Sequence, residues 1–343
     1  MGMWSVLKIA AGLFAVLAGG CCGGSGERFQ FTRVYMGVST KIIVEAPTRE
    51  EAFEGAAAAF SRIGEIEDAA SDYRPASELM RLCREAKVGE WRDVSGDLAV
   101  LLRTAREVSE RSGGAFDVTV GPVVSLWREA RRMGRLGDAA VLAEARGRVD
   151  WRAVELNGDR VRLMKEGMRL DLGGIAKGYA AREAGRVLES RGLSRCLVSL
   201  AGDVYAGKAP SEQDGWRVEV RGDKSEAPVG TLLVARACVS TAGDAEQFVE
   251  VDGVRYSHIV DPRTGLGTAG GVVVTAIGED GAYVDAADTA AVVMGVEGAR
   301  AAFGGDRRVT LIVHRAGDGP LIVGDAGRVK WVEDPCHRSP ALR

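Results

Sequence analysis

The chain has 343 residues, 46% hydrophobic and 27% charged, which suits a globular, well-cored protein of one large domain or two modest ones. Its 45 Lys and Arg against 48 Asp and Glu leave a net charge of −3. No basic surplus exists to displace counterions, which argues against a general nucleic-acid binder.

Lys8 precedes an apolar run, Ile9 to Leu17, that is too short to span a membrane. Leu17-Ala18-Gly19-Gly20-Cys21 follows and resembles a lipobox. Residues 1–20 therefore read as a lipoprotein signal peptide, with Cys21 as the lipidated residue and Cys22 its close competitor. Residues 21–27 read as a flexible tether, 28–335 as the folded domain and 336–343 as a C-terminal tail. Cys83, Cys196, Cys238 and Cys336 match no zinc spacing; in an oxidising compartment they could pair, but three of them lie in apolar or mixed segments, which favours buried free thiols.

Phe29 to Val44 alternates as one or two strands around Met36-Gly37. Thr48-Arg49-Glu50-Glu51 is a capping box that opens a long helix with an apolar stripe from Ala52 to Ile66. Asp72 to Pro75 breaks it, and Ser77 starts a short helix through Leu82. Another amphipathic helix runs from Asp97 to Ser112 and ends at Gly113-Gly114. Residues 128–150 read as a charged, helical surface excursion. Val154 to Leu170 reads as a hairpin turning at Asn157-Gly158. Strands are expected at Cys196–Leu200, Trp216–Val220, Thr231–Val239, Tyr256–Val260 and Gly271–Ile277. Asp280 caps a helix through Met294, and strands close the chain near Val309–Val313, Leu321–Val323 and Val329–Val332. Helices followed by largely antiparallel strands predict an α+β fold.

The most informative segment is Asp171-Leu172-Gly173-Gly174-Ile175-Ala176-Lys177-Gly178-Tyr179-Ala180. A strand through Leu170 runs into it, and Ile175, Tyr179, Ala184, Val187 and Leu188 then share one face of a helix. The paired glycines let a ligand approach the backbone and leave the first amides of the helix as an anion site. Lys177 in the first turn opposes the helix dipole unless it meets an anion. The local chemistry suggests a phosphorylated ligand. It is neither Gly-x-Gly-x-x-Gly nor a P-loop.

As a whole this segment resembles a hallmark of the ApbE family, the FAD:protein FMN transferases. Other family landmarks follow in order over most of residues 30–300: Met36-Gly37, Ser71-Asp72-Tyr73 with Ser77-Glu78-Leu79, Phe116-Asp117-Val118-Thr119-Val120-Gly121-Pro122 with Leu126-Trp127, Ser199-Leu200-Ala201-Gly202-Asp203, Ser240-Thr241-Ala242-Gly243, Tyr256-Ser257-His258-Ile259-Val260-Asp261-Pro262-Arg263-Thr264-Gly265, and Asp285-Ala286-Ala287-Asp288-Thr289. Val38 departs from the family's Thr, Ala201 from its Gly and Arg182 from its Asp. The resemblance implies an ApbE-like, T-fold-related architecture of mixed or antiparallel sheets with packed helices, and FAD in a cleft between subdomains.

Asp285 and Thr289 lie one helical turn apart, so their oxygens face the same way. Alone, Asp285 near a helix start is explained by the dipole. The resemblance instead implies a Mg²⁺ site of hard oxygens, with a carbonyl from Gly174, and Asp288 beside it as an outer or second-metal group. It also implies that His258 lies beside the FAD pyrophosphate, either donating to a phosphate oxygen or acting as a general base. Lys177 offsets pyrophosphate charge, so His258, Lys177 and Asp285 are the catalytic candidates. Candidates for holding FAD are Met36, Tyr73, Asp117, Gly173, Gly174, Lys177, Asp244 and His258. Core packing explains Met36 and Tyr73 equally well, and Asp117 with Thr119 suits local backbone bonding. His314 and His337 have no such context.

The expected activity is Mg²⁺-dependent transfer of FMN from FAD to a threonine of an acceptor flavoprotein, with AMP leaving. The enzyme would be lipid-anchored in a bacterial cell envelope, facing the periplasm or outside, near acceptor subunits of membrane redox complexes. Two rivals are an Mg²⁺-dependent FAD pyrophosphatase and a non-catalytic FAD-binding lipoprotein, the latter favoured by Arg182 and Val38.

Overall fold

The chain, seen in a computed structural model that describes residues 26–332 apart from 136, 223–228, 244–247, 252–253, 270 and 316–317, opens with a hairpin. Strands β1 (Glu27–Tyr35) and β2 (Val38–Ala46) pair antiparallel. Met36 and Gly37 form the turn with φ of 49° and 72°, the positive values that a two-residue hairpin needs to match strand twist. The leader, Cys21, Cys22 and the tail lie outside the described residues, whereas Glu27, assigned to the tether, already starts β1.

Helix α1 (Arg49–Ala70) begins at the expected cap, where the Thr48 hydroxyl accepts the Glu51 N–H at 3.2 Å. Ser77 caps α2 (Glu78–Glu85) in the same way. β3 (Arg92–Asp93) and α3 (Gly96–Arg111) follow, and Gly113 and Gly114, both at positive φ, end the helix. Next come α4 (Gly121–Met133), α5 (Ala139–Gly147), and a hairpin of β4 (Val154–Asn157) with β5 (Arg160–Leu163). Then come α6 (Ala176–Ser190), β6 (Cys196–Leu200), β7 (Asp203–Ala206), β8 (Trp216–Val220), β9 (Gly230–Val234) and β10 (Ala237–Ala242). Short strands β11 (Phe248–Val251), β12 (Val254–Ser257), β13 (Val260–Asp261) and β14 (Leu266–Gly267) precede β15 (Val272–Gly278). α7 (Gly281–Phe303), β16 (Val309–Arg315) and β17 (Leu321–Val323) complete the set. Asp280 caps α7 as expected, accepting from the Ala282 and Tyr283 amides.

The α+β expectation holds. One eight-stranded sheet runs β1-β2-β6-β7-β10-β15-β16-β17, with every pairing antiparallel. Because side chains alternate across a strand, the sheet feeds two cores. Val198, Leu200, Val274, Ala276 and Leu311 pack with α1, α6 and α7. Leu197, Ala206, Val239, Ile277 and Ile312 face the β8–β9 hairpin with Trp216, Leu232 and Val234. A third cluster joins Val123, Trp127 and Ala145 of α4 and α5 to Val260. Among the described residues no helix is long and apolar enough to cross a membrane.

Four expectations need correction. The strand through Leu170 stops at Leu163, because the chain turns at Gly167, with φ of 70°. The chain then stays extended into the glycine turn, held by a parallel bridge from Arg169 to Val120 and by the Asp171 N–H on the Val118 carbonyl at 2.7 Å. Thr231–Val239 is two strands in different sheets, separated at Arg236, whose φ is 54°. Val329–Val332 forms no named strand; only Trp331 bridges to Leu232. Tyr256–Val260 is split into β12 and β13 around His258. The α7 helix reaches Phe303, but Gly295, at φ 69° and ψ −174°, breaks it beside the predicted end at Met294.

Candidate functional site

A cavity of about 1450 Å³ is walled by the start of α6, the first half of α7, the β6–β7 turn, the Met36 turn and α4. Met36, Tyr73, Asp117, Gly173, Gly174, Lys177, His258, Asp285 and Thr289 all line it. Sequence reasoning therefore gathered residues that the fold does bring together. Asp244 lies outside the described residues.

The meeting of α6 and α7 sets the geometry. A Cβ on Gly178 would sit 2.2 Å from the Gly281 carbonyl oxygen, and one on Gly281 would sit 2.1 Å from the Gly178 oxygen. Only paired glycines permit that crossing. It brings the Asp285 carboxylate onto the start of α6, where Oδ2 accepts the Gly178 N–H at 2.9 Å. The sequence left the first amides of α6 free for a ligand anion. The structure corrects this for Gly178, whose amide Asp285 takes, and in the turn ahead of the helix Asp171 Oδ1 takes the Gly173 amide at 2.8 Å. The positive helix end is thus used to hold a carboxylate of the protein itself.

Lys177 likewise meets an internal anion. Its Nζ lies 2.7 Å from Asp203 Oδ2 and 3.8 Å from Asp285 Oδ2. Burial works to lower the ammonium pKa, but Asp203 and Asp285 outweigh it and raise the value. Asp203 is a site residue that the sequence marked only as the end of the Ser199–Asp203 landmark, with no role assigned. It is buried, and the Ser240 hydroxyl donates to its Oδ1 at 2.7 Å.

Asp285 and Asp288 are buried on α7 beside Asp203. Burial, then the charge of Asp203, pushes the Asp285 carboxyl up to about 7. Burial, then Asp285 and Asp203, raises Asp288 well above the usual carboxylate range. Asp288 Oδ1 accepts from Thr289 Oγ1 at 3.3 Å, the Ser240 hydroxyl acts on the same carboxyl, and among the described residues its buried Oδ2 meets the geometry of no hydrogen bond. Three buried carboxylates thus face one ammonium, and a buried unpaired carboxylate oxygen is costly unless a cation or proton meets it. Among the described residues no three His, Cys, Asp or Glu side chains form a ready metal cage. The oxygens on offer are mixed. Gly174 packs so closely on α7 that a Cβ there would lie 3.1 Å from Thr289 Oγ1, so the glycine backbone, the Thr289 hydroxyl and, one helical turn back, the Asp285 carboxylate all line the same cavity. Such a set suits a hard cation such as Mg²⁺.

The other wall holds Tyr73, 73% exposed, with the Arg128 guanidinium 4.1 Å from its ring centre. Arg128 also pairs with Asp72 and, at 3.0 Å, with Asp171. Burial works to lower its pKa, and Asp171 and Asp72 reverse that shift. Sequence reasoning missed Arg128, treating it as surface; the acids it pairs with are far away in sequence. Asp117 turns its carboxylate inward to the Thr119 N–H and hydroxyl at 2.8 and 2.6 Å and the Trp151 N–H at 3.1 Å. It holds the segment ahead of α4, and both its oxygens are engaged. Met36 packs partly on the main core, and its N–H donates to Glu67 Oε1 at 2.8 Å. Arg182 does not line the cavity: it pairs with Glu189 at 3.2 Å and lies over the Tyr205 ring at 4.5 Å. Its charge is absorbed away from the site. His314 is buried in β16.

Comparison with known proteins is consistent across sequence and structure. Residues 36–312 match the model of the ApbE family. The chain is 33% identical over 275 residues to the FAD:protein FMN transferase of Treponema pallidum (strain Nichols), covering 74% of this chain and 76% of that protein. It is 30% identical to the FAD:protein FMN transferase of Escherichia coli (strain K12), covering 72% and 73%. The flavin transferase ApbE from Vibrio cholerae superposes with a TM-score of 0.77 at 25% identity, over 86% of this chain and 95% of that one. The ApbE protein of Thermotoga maritima gives a TM-score of 0.77 at 27% identity, over 88% and 98%.

Proposed function

The chain belongs to the ApbE family of enzymes, and from that premise we propose that it is an FAD:protein FMN transferase that uses Mg²⁺, labels a threonine and releases AMP. The observation that carries this reading is the crowding of acidic groups at the cavity floor: Asp203, Asp285 and Asp288 lie around the single ammonium of Lys177, and burial with mutual repulsion holds Asp285 and Asp288 towards their protonated forms until a cation meets them. Asp285, Thr289 and the Gly174 carbonyl would hold Mg²⁺, which, when bound, neutralises charge on the pyrophosphate.

The remaining steps belong to residues of the chain. The acceptor's threonine oxygen bonds to the FMN-side phosphorus, and the bond from that phosphorus to the bridging oxygen breaks. AMP leaves with that oxygen. His258, at the exposed edge of the cavity, takes the hydroxyl proton. Lys177 keeps the acid cluster from repelling the incoming phosphates. Tyr73, held by Arg128 at the mouth, offers a flat face to the flavin.

The test incubates the protein with FAD and Mg²⁺, with and without an acceptor domain. AMP together with flavin-labelled acceptor, and only when acceptor is present, is the expected result. AMP plus free FMN without acceptor would make it a pyrophosphatase, and bound FAD with no AMP in either arm would sink the enzyme reading.

Metal affinity should depend on pH. The Asp285 carboxyl, pushed up to about 7, must lose its proton to bind a cation. Its protonated form gains as pH falls below that value and its ionised form gains above it, so affinity should rise with pH. Mg²⁺-induced thermal stabilisation should need roughly tenfold more Mg²⁺ per pH unit below 7. A requirement that stays flat between pH 5.5 and 8 would show that the Asp285 carboxyl is already ionised in the metal-free site across that range.

We also propose a lipid anchor at Cys21, which would hold the enzyme on the outer side of a membrane beside its acceptors. Cys21→Ala should move the protein from the membrane fraction to the soluble one.

A further inference from the structure

Two consecutive residues of α4 reach the two walls of the cavity. Trp127 is buried, and its indole N–H donates to the Gly265 carbonyl at 2.7 Å. Its ring lies 5.7 Å from that of Tyr256, two residues before His258. Arg128 turns to the other wall, where it bridges Asp72 and Asp171. Asp171 in turn pins the Gly173 amide at 2.8 Å.

The His258 loop needs such support. His258 lies between β12 and β13, outside the eight-stranded sheet, and its neighbours β13 and β14 have two residues each. Ile259 reaches the main core, and the rest of the apolar packing of this region is the third core cluster, with Val260 and Leu266 set against Val123, Trp127 and Leu142. A second tie is Arg263, which grips Asp261 and reaches the Val293 carbonyl at 3.4 Å, just before α7 breaks at Gly295. The glycine turn belongs to the main core throughout, its flanking Leu172 and Ile175 packing with α6 and α7.

We propose that Trp127 and Arg128 are positioning residues which set the distance between His258 and the Gly173–Gly174 turn. This rests on the reading above, in which both walls act on one dinucleotide. The chemistry of each side chain suits the task. The indole supplies a rigid, buried donor to the carbonyl of Gly265, itself buried. The planar guanidinium reaches two carboxylates at once, which a lysine ammonium does not reproduce. Misplacing a reacting group by about an ångström is enough to slow a reaction of this kind about a hundredfold.

The test uses the full chain with Trp127→Phe, which keeps a ring and loses the N–H, and Arg128→Lys, which keeps the charge and loses the fork. Two readouts are taken. In the first, amide hydrogen exchange is followed without substrate. Trp127→Phe should speed exchange about tenfold in residues 257–268, and Arg128→Lys should do so in residues 171–174. In the second, flavin transfer is measured. Both variants should lower kcat about tenfold, with the KM for FAD within about threefold. A residue that only stabilises the fold would lower the unfolding midpoint and leave kcat unchanged. Wild-type exchange in both segments overturns the proposal, as does an unchanged kcat in both variants of an active enzyme. If the wild-type protein transfers no flavin, the functional reading falls, and the exchange pattern alone decides whether α4 braces the two walls.

Discussion

Asp285→Asn is expected to lower flavin transfer at least about a thousandfold while leaving the protein folded. Asparagine has the same shape, and its side-chain oxygen still accepts the Gly178 N–H that Asp285 accepts at 2.9 Å. The helix crossing therefore has no steric reason to change. The charge does change. Asp285 shares a buried site with Asp203 and Asp288, and burial with the Asp203 charge already pushes its carboxyl up to about 7. Removing one of three crowded carboxylates relieves repulsion, so without Mg²⁺ at pH 8 the variant should be as stable as wild type, or more stable by about 1 kcal/mol. With Mg²⁺ the order should reverse, because wild type gains the linkage stabilisation of a bound ion and the variant does not. Urea unfolding with and without Mg²⁺, set beside AMP release, reads all three effects. Turnover near the wild-type rate would remove Asp285 from the metal site, and a variant that is destabilised without Mg²⁺ would mean its charge is needed for folding.

What could be read from the sequence was local. Thr48, Ser77 and Asp280 cap their helices as their side chains dictate. The Met36-Gly37 turn and the Gly113-Gly114 stop were also visible, since each is written in a few adjacent residues. Turns without glycine or proline were not. Arg236 takes a left-handed conformation that its neighbours do not advertise, and one predicted strand became two in separate sheets. The site divides in the same way. Asp285 and Thr289 share a helix face and were paired from their spacing, but Lys177 with Asp203 and Arg128 with Asp171 join distant segments. Residue spacing says nothing about which acid a lysine will meet. For the same reason the first amides of α6 looked free for a ligand, until α7 brought a carboxylate to them.

Gly178→Ala gives the sharpest contrast between helix propensity and packing. Alanine is favoured over glycine inside a helix by about 1 kcal/mol, so the sequence alone predicts a stabilised α6. The structure reverses the sign. The new methyl would lie 2.2 Å from the Gly281 carbonyl oxygen and 2.8 Å from the Asp285 Cβ. Neither is the end of a flexible side chain, so relief requires α6 and α7 to separate. Overpacking of this kind costs roughly 1–3 kcal/mol beyond the propensity gain. Separation also pulls Asp285 off the Gly178 amide and away from Gly174, whose position against Thr289 depends on the same crossing. Activity per folded molecule should therefore fall about a hundredfold. Gly185→Ala supplies the control on the same helix. Its methyl would lie 2.0 Å from the Tyr205 ring, a clash at least as severe but seven residues further along and outside the cavity lining. It should lower the unfolding midpoint comparably while activity per folded molecule stays within about threefold of wild type. Equal activity losses in the two variants would mean that general loosening of α6, rather than the Gly178–Gly281 crossing, governs the site.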